Sequence, residues 1–140
     1  MSRFNSKKVY SVRAAAAAAA TSTQYKTVEQ TFLFTDYQWM YETTEANADN
    51  TLDWVVDYTV NGTDFISLVT NANAVGLLNT SAPLVGNINS GNAASAGTAG
   101  VVAAPTVVRV PAGAVIRVAL TTAGTGTVPA IQFDVIGQSV

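Results

Sequence analysis

The sequence predicts a single antiparallel β-sandwich with an extended N-terminal arm that carries a short alanine-rich helix. Three observations lead there. From Pro105 to Ile136 the chain gives three alternating apolar runs separated by Pro/Gly turns, the pattern of amphipathic strands. A fourth alternating run, Leu52 to Val60, leads directly into Asn61-Gly62, a strong hairpin signal. The first 24 residues differ in character, being basic and low in complexity, with seven consecutive alanines at 14–20.

The opening 24 residues hold Arg3, Lys7, Lys8 and Arg13, and with Lys26 these make five of the seven cations; no acid precedes Glu29. Segregated charge of this kind marks an interaction tail. Alanine has the highest helix propensity, although a seven-residue run falls short of the ~12 to 15 residues an isolated helix needs in water. The helix is therefore expected only where a neighbour packs on it. The expected division is an arm over 1–24 and a sandwich domain over 25–140.

Within the domain, Val28, Phe32 and Phe34 place a strand at Lys26–Thr35. Asp36–Asn50 mixes aromatics, acids and turn formers and reads as a loop, with a helical turn near Thr43–Ala48. Tyr37, Trp39 and Tyr41, spaced two apart, project to one side if extended: either into the core or as a stacking ridge. In LDWVVDYTV the residues Leu52, Trp54, Val56, Tyr58 and Val60 share a face. A two-residue turn at Asn61-Gly62 would pair Tyr58 with Phe65 and send Ile66 and Leu68 to the side of Asp53 and Asp57. Either both faces of that hairpin are partly buried, or a bulge flips the register. Asn71–Val85 is ambiguous, and the uncharged Gly86–Ala104 reads as a long loop for contact or insertion. In the last three runs Val108 and Val110, then Ile116, Val118 and Leu120, then Ile131, Phe133 and Val135 face inward. Arg109, Arg117, Gln132 and Asp134 face outward, and either arginine is placed to pair with Asp134.

Composition narrows the chemistry. Charged residues are only 11% against 49% hydrophobic, and the net charge is −2, so a largely neutral surface is expected, part of it covered in an assembly. That balance gives no reason to expect nucleic acid as a partner. No apolar run reaches the ~18 residues of a membrane span, and seven alanines make a weak signal-peptide core. With neither His nor Cys, the Ser-His-Asp and Cys-His triads and the usual zinc and copper sites are out of reach, and no phosphate-cradling motif occurs. Asp53 and Asp57 on one strand face would lie ~13 Å apart, too far for a shared carboxylate mechanism. Asn47, Asp49 and Asp53 offer hard oxygens for calcium without the spacing of a calcium loop. Asn61 and Asn79 begin glycosylation sequons, the first better explained as a turn. No enzyme, cofactor or metal is expected.

The order of a basic, alanine-rich arm, Val- and Thr-rich strands, VVRVPAGAVIRVALTT and a closing AIQFDVIG resembles the jelly-roll or β-sandwich decoration (cement) proteins of tailed-bacteriophage capsids. The resemblance covers Thr106–Ile136 as a pattern and the arm as a composition, through the corner Val110-Pro111-Ala112-Gly113. It implies a jelly-roll-like sandwich and a non-catalytic virion protein at the capsid surface. It further implies a homotrimer seated on the major capsid protein or an equivalent neighbour, with the arm crossing onto an adjacent subunit. Arg3, Phe4, Lys7, Lys8, Tyr10, Arg13, Arg109 and Arg117 are then the expected partner-binding residues. A fibre, tail or pilus subunit joined by strand addition and a carbohydrate-binding module using Tyr37, Trp39 and Tyr41 are the alternatives.

Overall fold

The computed structural model describes residues 6–18, 20–42, 51–70, 75–76, 85–87, 107–124 and 126–140. These form β1 (Lys7–Ala14), β2 (Ala17–Ala18), β3 (Thr21–Thr27), β4 (Phe32–Tyr41), β5 (Thr51–Thr59) and β6 (Ile66–Thr70). The remaining strands are β7 (Val75–Gly76), β8 (Val85–Asn87), β9 (Val108–Val110), β10 (Val115–Ala123), β11 (Thr127–Val128) and β12 (Ile131–Ser139).

All pairings are antiparallel. The first sheet runs β1-β12-β4-β8, with β9 also on β4; the second runs β3-β10-β5-β6, with β7 also on β5; β2 and β11 form a small ribbon. Taken in chain order, the strands of these two paths alternate between the sheets except at β5 and β6, which are neighbours in the second. The three runs of Pro105–Ile136 are therefore not neighbours in one sheet, since β9 and β12 belong to the first and β10 to the second.

The inner faces follow the period-2 pattern. Ile116, Val118 and Leu120 of β10 and Leu52, Trp54, Val56 and Tyr58 of β5 oppose Phe32, Phe34, Tyr37 and Trp39 of β4 and Ile131, Phe133 and Val135 of β12. Trp54 joins the sheets, its ring centroid 5.6 Å from Tyr37, 5.9 Å from Trp39 and 6.0 Å from Phe133. Burial in this cluster pushes the Tyr37 hydroxyl up to about 12. Tyr37 and Trp39 are fully enclosed, so the aromatic alternation marks core and not an exposed ridge; the expected loop from Asp36 is strand through Tyr41.

Four expectations need correction. No helix occurs among the described residues; the alanine run carries the end of β1 and the short β2. Flanking strand pairing overrides local propensity here. The segment expected as an arm is built into both sheets from Lys7 onward: β1 lies on β12 in unbroken register, and β3 lies on β10. A boundary at residue 24 would cut through β3. The strand expected over Lys26–Thr35 is two strands in different sheets. Between them the Val28 N–H donates to Ala114 O at 2.8 Å and the Gly113 N–H to Val28 O at 2.8 Å, locking this corner to the Pro111–Ala114 corner. Gly113, at φ 85°, supplies the left-handed residue that second corner requires.

The fourth concerns the β5–β6 turn. A type I′ turn needs positive φ at both central residues, and among the described residues only glycines adopt it. The connection is instead a loop from Val60 to Phe65. Asn61 Oδ1 accepts from the Thr63 N–H at 2.9 Å and the Asp64 N–H at 2.8 Å. Tyr58 pairs with Ile66, and a bulge follows between Val56 and Asp57, so that Leu68 and Val69 both turn inward. The anticipated register conflict is thus resolved by a bulge, with Ile66 exposed.

Candidate interaction surfaces

Among the described residues no group of three or more His, Cys, Asp or Glu side chains could hold a metal ion. What distinguishes the molecule is how its charges are distributed over the two outer faces, because the β alternation that buries one set of side chains displays the other.

On the outer face of the first sheet, one row across the strands is Lys7, Gln138, Leu33 and Arg109. Three strand spacings place the two cations about 14 Å apart. Beside Lys7 lies an open depression of about 350 Å³ lined by Lys7, Thr35, Asp36, Gln38, Ile136, Gly137 and Gln138. Further along, Ser11 donates to Asp134 Oδ1 at 2.6 Å, so Asp134 is engaged by a hydroxyl and by neither arginine. At the far end Arg13 forms a two-point pair with Glu42, Nε to Oε1 at 2.6 Å and Nη2 to Oε2 at 2.8 Å. That hydrogen bonding holds the Glu42 carboxyl below, and raises the Arg13 guanidinium above, the ordinary value.

The outer face of the second sheet has Tyr25, Arg117, Asp57 and Ser67 in register across β3, β10, β5 and β6. Arg117 Nε donates to Asp57 Oδ1 at 2.9 Å and Nη2 to Oδ2 at 2.5 Å. Phe65, brought over by the 60–65 loop, stacks on the guanidinium with 3.6 Å from Cζ to the ring centroid. The Asp57 side chain is 7% exposed and that of Arg117 30%. Hydrogen bonding to Asp57 raises the Arg117 pKa. On the same strand face Asp53 has its Oδ1 enclosed without a hydrogen-bond partner, and burial pushes its carboxyl up.

The expected contact residues thus separate into groups. Arg117 is committed internally to Asp57 and Phe65, and Arg13 to Glu42. Tyr10 lies with its ring 5.1 Å from Phe32 at the core margin, where burial raises its hydroxyl pKa. Lys7, Lys8 and Arg109 form no ion pair among the described residues and cluster at one end of the first sheet. Arg3 and Phe4 lie outside the described residues, as do Asn47, Asp49, Asn79, the expected turn at 43–48 and most of the 86–104 segment. The Arg117–Asp57 pair was missed in the sequence because its partners lie on strands from distant parts of the chain; a lone outward acid opposite a lone outward arginine was the available signal.

No protein-family model matches the chain, and no curated protein matches it. Among solved structures it is similar to that of the infectious bursal disease virus Gx strain, at 14% identity over 96% of this chain and 41% of that one, with TM-score 0.37. It is also similar to the D431N mutant VP2 protein of infectious bursal disease virus from derived T=1 particles, at 10% identity, 95% and 36% coverage and TM-score 0.34. For the Gt strain of the same virus the values are 7%, 96%, 37% and 0.28. The chain spans about two fifths of the length of those proteins.

Proposed function

We propose that this chain is a non-catalytic structural protein of a virus particle, a decoration or cement subunit held at the capsid surface by contact with the major capsid protein or an equivalent neighbour. The observation that carries this reading is the strand order. Two four-strand paths, β1-β12-β4-β8 and β3-β10-β5-β6, whose strands alternate between the sheets in chain order except at the β5–β6 pair, make the double Greek key of a jelly roll. That architecture serves viral capsid and lectin domains alike. The enclosure of Tyr37 and Trp39 removes the stacking ridge on which a carbohydrate reading would depend. A surface with few charges, and an outer face of the first sheet built from Leu33, Ile136, Met40 and glutamines, supports burial against protein.

Lys7, Lys8 and Arg109 are the residues assigned to contact, and Arg3 and Phe4, outside the described residues, are assigned with them. Arg13 and Arg117 are engaged within the domain, by Glu42 and Asp57. The test is reconstitution on particles isolated from the source that encodes the chain and stripped of it. The parent protein should rebind saturably, and the double variant Lys7→Glu/Arg109→Glu should bind at least tenfold more weakly while keeping its melting temperature. Equal binding by parent and variant would remove these cations from the contact.

A further inference from the structure

We infer that β3 is a pairing edge, and that it joins the β3 of a second copy of this chain antiparallel about a two-fold axis. The inference concerns the domain's own edge and stands whether or not the particle assignment holds.

A sheet edge with free N–H and C=O groups is a template for another strand unless short length, charge, proline or a bulge protects it. The other edges among the described residues carry such protection. β1 has Lys7, Lys8 and Arg13 within eight residues. β7, β8 and β9 are two to three residues long, and β6 is short and bulged. β3, TSTQYKT, has seven residues in continuous register with β10, no proline, glycine or acid, and a single lysine.

Its hydrogen-bonding parity is fixed by its two ends. The Thr122 N–H donates to Ala20 O at 2.9 Å, and Val28 exchanges bonds with Ala114 and Gly113. Even-numbered residues therefore bond toward β10. By strand alternation Thr21, Thr23, Tyr25 and Thr27 turn their N–H and C=O groups to the open edge. Two copies can use these groups only where odd residues oppose odd residues. Centring on Gln24 meets that condition, pairing Thr21 with Thr27 and Thr23 with Tyr25 of the second copy. Four hydrogen-bonded pairs of this kind supply about eight backbone bonds. The remaining positions fit as well. Lys26 opposes Ser22, so no like charges face each other, and the Thr–Tyr pair is a favourable cross-strand combination. The same strand serving both partners is what an isologous two-fold contact requires.

Two variants test this against the parent protein, with sedimentation giving the size. Thr23→Pro removes an N–H that points outward and is not used by β10, so the domain should keep its far-UV circular dichroism while the parent dimer becomes monomeric. Gln24→Cys uses the absence of cysteine from the chain. Residue 24 would face its own copy in a non-hydrogen-bonded pair about 4.5 Å apart at Cα, within disulfide range. Under mild oxidation it should cross-link at least tenfold faster than Ser67→Cys on β6. A parent protein that is monomeric at high micromolar concentration, or that forms a three-fold ring, overturns the proposal. So does cross-linking of Gln24→Cys no faster than that of Ser67→Cys, which remains decisive if Thr23→Pro fails to fold.

Discussion

Replacing Arg117 with methionine keeps the length and apolar stem of the side chain and removes its charge. Asp57, with a side chain only 7% exposed, would lose both hydrogen bonds to Arg117 and face Phe65 and β10 uncompensated. Breaking a buried pair on one side costs about 3–5 kcal/mol. Arg117 itself is 30% exposed, and solvent screening lowers the figure. Loss of the stacking on Phe65 adds back about 0.5–1 kcal/mol. The balance is near 3 kcal/mol, which with a urea m-value of about 1.5 kcal/mol/M moves the unfolding midpoint down by about 2 M. Urea titration followed by tryptophan fluorescence reads this directly, since Trp54 lies three residues from Asp57 on β5, on the opposite, core-facing side. The double variant Asp57→Asn/Arg117→Met should recover more than half of the loss, because no charge is then stranded. A single-variant loss under about 0.5 kcal/mol, the scale of an exposed surface pair, would refute the sheltered-pair reasoning.

Gly137→Ala should destabilise by about 3 kcal/mol or more, because an added Cβ would fall against the Leu33 carbonyl and 2.5 Å from Phe32 Cδ2 at the β4–β12 irregularity; thermal unfolding measures it. Trp54→Ala removes the ring that joins the sheets and should cost about 3–5 kcal/mol, with collapse of the near-UV circular dichroism. Asp53→Asn should stabilise at neutral pH by about 1 kcal/mol. The folded pKa of Asp53 is raised, so its charged form opposes folding above that value, and the advantage of Asn should shrink as pH falls through it. Glu42 has the opposite sign. Its lowered folded pKa means that pairing with Arg13 supports the fold above the ordinary carboxylate range and fades as pH falls below it, so Glu42→Gln should differ from the parent only on the neutral side.

The division between inward and outward residues was legible in the sequence because β alternation is local. Ile116, Val118 and Leu120 face inward whatever strand lies beside them. Partnership was not legible, for a reason of the same kind. Each Pro/Gly corner that looked like a hairpin, Pro111–Gly113 above all, carries the chain from one sheet to the other, so sequence neighbours are seldom sheet neighbours. Arg117 therefore finds Asp57 and not Asp134. The alanine run was misjudged because propensity is weak against two flanking strands that are each paired along their whole length. Tyr37 and Trp39 were ambiguous because alternation says that they share a side, and only the opposing β5 makes that side the core. At the candidate surface the sequence located the cations, while the intramolecular pairs of Arg13 and Arg117 needed the fold.

The central claim is that the chain is a stoichiometric part of a virus particle. Quantitative mass spectrometry of density-purified particles from the encoding source tests it most directly. The chain should stand in a constant ratio to the major capsid protein across preparations. Its absence from particles, while it is abundant in the soluble fraction of the same culture, would contradict the account.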